Sequence, residues 1–182
     1  MSRDESPIQG DAIGLRPAGP DDVYRMRVLG MQGWETAYSS FVHAHNRRSY
    51  LNGEFWSIGR LRAVIEDPDA INLVAIDQDR IIGFITTERL TDGRYEVTRL
   101  YVEQAERSRG VGAQLLNEVF ASLRRCGVEE VLVNAFGDNI AGRRFYERHG
   151  FALIEDTWTR VGDQTVSDVW YALRLDPSRP AG

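Results

Sequence analysis

Arg107, Ser108, Arg109, Gly110, Val111, Gly112 and Ala113 combine two arginines, a serine and two glycines directly ahead of an amphipathic run. The chemistry this suits is the holding of a phosphate. After Gly112 the apolar residues Leu115, Leu116, Val119, Phe120 and Leu123 recur at three- and four-residue intervals and mark one buried face of a helix. A helix start carries unpaired N–H groups and a partial positive charge, so it ordinarily collects Asp, Glu, Ser or Thr. Here Arg107 and Arg109 occupy that end, no acid lies in the first turn, and the two glycines bare the backbone. An anion held by the N–H groups would complete such an arrangement. A basic loop whose glycines ease a turn is the other reading, and the loop alone does not decide between them.

Other candidates for chemistry are weaker. His43-x-His45 has the look of a metal pair, but His149 is the only further histidine, no cysteine lies nearby, and a structural zinc takes four ligands. No metal centre is expected. Cys126 stands at a helix end before Gly127 and reads as a small buried apolar residue near a cap. No G-x-S-x-G elbow is present, so an acyl-enzyme lacks its usual mark. The glycine loop is not a dinucleotide fingerprint, because it lacks the third glycine and follows three meandering strands; nor is it a Walker loop, because no G-K-[ST] follows.

The elements that must position the loop can be read from periodicity and breakers. Ile13 to Arg16 is a short strand, Pro20-Asp21-Asp22 opens a helix over 21–31, and 32–50 is aromatic and irregular. A second helix over 54–66 stops at Asp67-Pro68. Asn72 to Ile76 and Ile81 to Thr87 form a hairpin, and Asp92-Gly93 turns the chain into a third strand, Tyr95 to Val102. The loop and its helix (109–126) come next, then a strand Val128 to Asn134, a helix 139–149, and strands Phe151 to Thr159 and Val166 to Leu175 across a Gly162-Asp163 turn. The order suits a mixed sheet covered by helices on both faces. One domain, 13–175, is expected between disordered tails at 1–12 and 176–182, with no linker or repeat.

With 182 residues, 42% hydrophobic and 27% charged, the chain has the composition of one globular domain with a real core. Its net charge of -5 argues against broad nucleic-acid binding and leaves room for a local basic site. A single cysteine excludes an intramolecular disulfide and suits a reducing compartment; no apolar run is long enough to span a bilayer and no signal segment opens the chain, so a cytoplasmic protein without membrane partners is expected. All 22 basic residues are arginine, so the N-terminus is the chain's only primary amine.

Two blocks together carry a family resemblance. Arg107, Gly110 and Gly112 match R-x-x-G-x-G, and Asn139 to Phe151 (Asn-Ile-Ala-Gly-Arg-Arg-Phe-Tyr-Glu-Arg-His-Gly-Phe) looks like N-x-x-A-x-x-F-Y-x-x-x-G-F, the two being separated by one strand. The chain thereby resembles the GNAT superfamily of N-acetyltransferases, most sharply from Tyr95 to Phe151. Gln104 replaces a common proline and Gly142 a common alanine. The resemblance implies an α/β (α+β) fold: a mixed, mostly antiparallel sheet of six to seven strands whose central strands splay apart, flanked by about four helices. It implies acetyl-CoA as co-substrate, its pyrophosphate cradled by backbone N–H groups from Arg107 to Ala113 and its pantetheine arm paired with Leu100 and Val102, with Tyr101 between them. The N–H of Leu100 would then face the thioester oxygen, where negative charge develops.

The same resemblance assigns proton traffic. Tyr146 matches the tyrosine that faces the CoA sulfur and can protonate the departing thiolate; packing beside Phe145 is its alternative role. Asn139 matches the asparagine that contacts the CoA arm, a role compatible with capping a helix. Glu96 falls where some members carry a general base, which an ammonium acceptor requires at neutral pH. Alternation sends Glu96, Thr98, Leu100 and Val102 to one face, and a solvated strand charge is the alternative. Residues 32–50 and the loop 160–167 would cover the acceptor side, where Trp34, Tyr38, Phe41 and Tyr50 either line a pocket or fill a core, and Glu35 or Glu54 would attract an amine. Direct transfer to a primary amine of a small molecule is the expected reaction. A protein or peptide acceptor, and a non-catalytic acyl-CoA-binding module, remain the alternatives. Pairing as a homodimer is implied by analogy, with the strand 166–175 offering an edge.

Overall fold

The computed structural model describes residues 13–176; the expected tails, 1–12 and 176–182, lie outside them apart from Asp176. Seven strands form one sheet in the order β1-β2-β3-β4-β5-β7-β6. They are β1 (Gly14–Pro17), β2 (Leu73–Asp77), β3 (Arg80–Arg89), β4 (Tyr95–Val102), β5 (Glu130–Phe136), β6 (Ala152–Val161) and β7 (Gln164–Arg174). All neighbours are antiparallel except β4 and β5. Among the described residues there are five α-helices, where about four were expected: α1 (Val23–Tyr38), α2 (Ala44–Leu51), α3 (Ile58–Glu66), α4 (Val111–Arg125) and α5 (Ile140–Arg148). No helix among them is long and apolar enough to cross a membrane.

Local sequence explains most of these elements. The β2–β3 hairpin closes on Gln78 and Asp79, both at positive φ, the pairing that matches the right-handed twist of the strands. Parallel strands need a crossover, and α4 supplies it between β4 and β5. Its stripe Leu115, Leu116, Val119 and Leu123 is fully buried against Ile82, Ile85, Val97, Val131 and Val133 on one face of the sheet. On the other face Met26, Leu29 and Trp34 of α1 pack on Trp56, Val74 and Phe84.

Three expectations are corrected. First, α1 runs on to Tyr38 and 44–51 is a helix, where 32–50 was read as irregular. Gly30, Gly33 and the aromatics lower helix propensity, and tertiary packing overrides it. Both glycines are needed for contact: a Cβ at Gly30 would sit 2.1 Å from Trp56 and one at Gly33 2.5 Å from Tyr101. Second, Cys126 caps α4 but is exposed: the helix ends there, and the left-handed Gly127 brings Val128, not Cys126, against the core. Third, β7 is interior, paired on both sides, so the sheet edge belongs to β6.

The close seat of α1 gives a test of opposite signs. Gly30→Ala gains helix propensity yet drives a methyl into the fully buried Trp56, so a net destabilisation of about 1–3 kcal/mol is expected. Gly59→Ala in α3, with open space around its Cβ, is expected to stabilise by up to about 1 kcal/mol. Urea unfolding midpoints measure both.

Candidate active site

β4 and β5 pair at only three positions, Tyr95↔Val131, Glu96↔Leu132 and Val97↔Val133. Beyond Val97 they part, β4 staying with β3 to Val102 and β5 with β7 to Phe136. From Thr98 onward the edge of β4 that faces β5 is therefore open, and alternate backbone groups of β4 point into the gap. A cleft of about 760 Å³ fills it. Its lining includes Leu100, Tyr101 and Val102 of β4, Asn134 and Ala135 of β5, Asn139 and Tyr146, Gly33 to Tyr38 of α1 in part, and the loop residues Arg107, Ser108, Gly110, Gly112 and Ala113.

The loop is a 3₁₀ turn, Gln104–Arg109, joined to α4 by Gly110 at φ 73°, a left-handed position that glycine takes without strain. The first helical hydrogen bond of α4 is Gln114 N–H to the Gly110 carbonyl at 3.0 Å. The N–H groups of Val111, Gly112 and Ala113 precede it, and neither a capping side chain nor an acid in the first turn serves them. The bare run is shorter than the expected Arg107 to Ala113, because Arg107 to Arg109 lie within the 3₁₀ turn. The two arginines part company. Arg109 turns outward to Asp77 and Glu106, and those carboxylates hold its pKa above the usual arginine value. Its charge is balanced without any ligand. Arg107 lines the cleft, donates weakly to the Val102 carbonyl at 3.4 Å, and has no carboxylate partner among the described residues. Val111 is fully buried under the sheet, so only its backbone can serve a ligand.

At the other end of the cleft α5 begins on Asn139, whose Oδ1 accepts from Gly142 N–H at 3.0 Å and whose Nδ2 donates to the Tyr38 hydroxyl at 3.4 Å. A Cβ at position 142 would lie 2.5 Å from the Asn139 amide nitrogen, which accounts for glycine there. Tyr146 is half-buried between Phe145 and Phe151, with ring centroids 5.4 and 5.6 Å away. Burial raises its pKa well above the usual tyrosine value, so it is a neutral phenol at working pH. No hydrogen bond to its hydroxyl is made among the described residues.

Glu96 does not share a face with Leu100, contrary to the alternation argument. The β3–β4 register shifts between Thr86 and Thr87, leaving Thr98 as an extra residue in β4. This bulge reverses the phase. Tyr95 and Val97 before it, and Leu100 and Val102 after it, all belong to the α4 layer, whereas Tyr101 joins the α1 layer. Glu96 thus lies on the α1 side with Arg99 and Tyr101, one residue before the cleft lining begins at Val97. There it stands directly across from Glu88, which pairs with Arg60 and, at 3.9 Å, with Arg99. Burial first and the Glu88 charge second push the Glu96 carboxyl up to about 7.

Several residues of this layer were not singled out in the sequence. Arg99 is fully buried, its guanidinium 3.7 Å over the Phe55 ring and bonded to the Phe55 carbonyl at 2.6 Å; desolvation lowers its pKa to about 10. Asp168 on β7 is buried and its carboxyl is raised by that burial, against the hydrogen bonds of Asn134 and Trp170. An acid and an arginine inside apolar strand runs were the available signal. Of the expected acceptor-side acids, Glu35 is tied to Arg47 and Glu54 is exposed. Trp34 is core, stacked on Tyr50 at 4.7 Å, while Tyr38 reaches the cleft.

A sheet split between one parallel pair, with amides of a crossover helix at the mouth of the split, defines an acetyltransferase of the GNAT type. Residues 33–151 match the model of the acetyltransferase (GNAT) family, and the chain belongs to that family. A spermidine N(1)-acetyltransferase of Thermoplasma acidophilum is 22% identical over 149 residues, 80% of this chain and 91% of the relative. The crystal structure of PaiA N-acetyltransferase from the same organism, in complex with coenzyme A, superposes with a TM-score of 0.74 at 23% identity, covering 86% of this chain and 98% of that one. The ribosomal-protein-S18-alanine N-acetyltransferase of Escherichia coli superposes with a TM-score of 0.69 at 16% identity over 90% and 94%.

Proposed function

We propose that this acetyltransferase moves the acetyl group of acetyl-CoA to a primary amine of a small molecule, by direct attack with both substrates bound. The observation that carries the reading is the cleft, which has bare N–H groups and Arg107 at one end and the open edge of β4 with Tyr146 at the other. The thioester supplies the activated acetyl group. The amides of Val111, Gly112 and Ala113, with Arg107 and Ser108, would hold the diphosphate. The β4 edge at Leu100 and Val102 would pair with the extended arm, and the Leu100 N–H would donate to the thioester oxygen as it gains charge. Asn139 keeps the start of α5 against the cleft. The amine approaches through the split from the α1 layer, where Glu96 takes a proton from its ammonium form. The new C–N bond forms as the C–S bond breaks; the second proton shed by the nitrogen ends on the departing sulfur, to which Tyr146 donates a hydrogen bond as charge builds there.

A small acceptor is favoured because α2, in the α1 layer, is latched to the β6–β7 turn. His43 N–H donates to Gln164 Oε1 at 2.9 Å, Gln164 Nε2 donates to the Phe41 carbonyl at 2.6 Å, and Asn46 donates to Asp163 at 2.8 Å. A long peptide would need an open groove there. The acids Glu96 and Asp168, which form no ion pair among the described residues, suit a cationic acceptor, in keeping with the spermidine activity named for the relative. The test is release of free thiol from acetyl-CoA with spermidine, other polyamines, amino acids and a peptide panel. Turnover with a polyamine or other small amine supports the reading. Turnover confined to peptides overturns the acceptor class, and coenzyme binding without turnover on any amine overturns the catalytic reading.

A further inference from the structure

The pair His43-x-His45 lacks a third ligand in its own neighbourhood, and the fold supplies one from 118 residues away. We propose that His43, His45 and Asp163 bind one first-row divalent ion of the zinc class, which ties α2 to the β6–β7 turn. One ligand atom from each side chain lies within 4.8 Å of the other two. The His45 Nε2 to Asp163 Oδ1 separation is 3.0 Å, inside the ~2.9–3.3 Å that adjacent ligands keep around an ion with bonds of ~2.0–2.1 Å.

The backbone around the three ligands is built for this approach. Asp163 follows Gly162, which sits at φ 64°, and a Cβ at position 162 would fall 2.0 Å from Asn46 Oδ1. Only glycine lets the turn press so closely on α2. Asn46 is 3% exposed and donates from Nδ2 to the ligand oxygen of Asp163 at 2.8 Å, the outer hydrogen bond that metal-binding carboxylates typically carry. His43 is held from the other side through its own N–H by Gln164. Two imidazoles and one carboxylate favour Zn²⁺, Ni²⁺ or Cu²⁺ over Mg²⁺ and Ca²⁺. All three side chains are exposed, so water completes the coordination. The ion would brace α2 against the β6–β7 turn, independently of acetyl transfer.

The tag-free full chain, stripped with EDTA and dialysed, is titrated calorimetrically with Zn²⁺ and separately with Mg²⁺. Uptake of one Zn²⁺ per chain, no Mg²⁺ heat, and a melting temperature raised by Zn²⁺ are expected. His43→Ala, His45→Ala and Asp163→Ala should each weaken Zn²⁺ binding at least tenfold and abolish the Zn²⁺-induced rise. His43→Ala is the cleanest of them, since the His43 ring makes no hydrogen bond or ion pair among the described residues and lies 5.8 Å from the His45 ring. Its metal-free melting temperature and its coenzyme A affinity should match those of the parent. Absence of stoichiometric Zn²⁺ uptake, or uptake that survives both His43→Ala and Asp163→Ala, overturns the proposal.

Discussion

Tyr146→Phe lowers kcat by about a hundredfold or more while KM for acetyl-CoA changes by no more than a few-fold. The size follows from what the substitution removes. The phenyl ring keeps its contacts with Phe145 and Phe151, and the lost hydroxyl leaves no buried partner unsatisfied, so the fold and the coenzyme grip persist. What disappears is the one neutral acid that α5 presents to the cleft. Burial makes that phenol a weaker acid than a free tyrosine, so it cannot hand its proton outright to a stable thiolate. It donates a hydrogen bond that strengthens only as charge builds on the sulfur, and an interaction made only in the transition state appears in kcat. Pre-steady-state release of thiol, alongside equilibrium binding of coenzyme A, separates the two quantities. A variant with parental kcat would remove Tyr146 from the chemistry, and one that fails to bind coenzyme would make it a packing residue.

The sequence made legible whatever is local. The α4 stripe, the bare amides of Val111 to Ala113 and the Asn139 cap follow from residue type and spacing within one or two turns, and each stands in the structure within the stretch where that spacing put it. What was not legible depends on partners far along the chain. Arg109 looked like a cation in need of an anion because Asp77, 32 residues earlier, was invisible as its neighbour. Strict alternation placed Glu96 beside Leu100, and one bulged residue at Thr98, set by the β3 register, undid that inference. The 32–50 segment hid its helices because its glycines fit pockets shaped by Trp56 and Tyr101, which no local propensity encodes. Asp168 and Arg99 are illegible for the same reason, since their burial comes from strands and, for Arg99, from the 3₁₀ turn Glu54–Trp56 assembled around them.

Glu96→Gln is expected to move activity and stability in opposite directions. In the parent the carboxyl titrates near 7, so a base at this position is protonated and idle at pH 5.5, half active near neutrality and fully active by pH 8.5. The parental kcat/KM should climb through that window and level off. The variant should lose the climb and fall by about a hundredfold at pH 8, where the base is ionised in the parent. Stability follows from the same shift. The unfolded glutamate titrates near 4.3, so between there and about 7 the folded chain holds a proton that the unfolded chain has released. Folding stability therefore decreases as pH rises across that interval, and the full penalty of burying the charge beside Glu88 is felt only above it. Glutamine carries no such charge, and no hydrogen bond to the Glu96 carboxylate is made among the described residues, so none is lost. The variant should gain on the order of 2 kcal/mol over the parent at pH 8 and nothing at pH 4. Urea midpoints at the two pH values measure the gain, and initial rates across pH 5.5–8.5 measure the loss. A variant that is less stable at pH 8, or that keeps the parental climb in rate, would show that the acid beside the bulge serves the sheet and not the transfer.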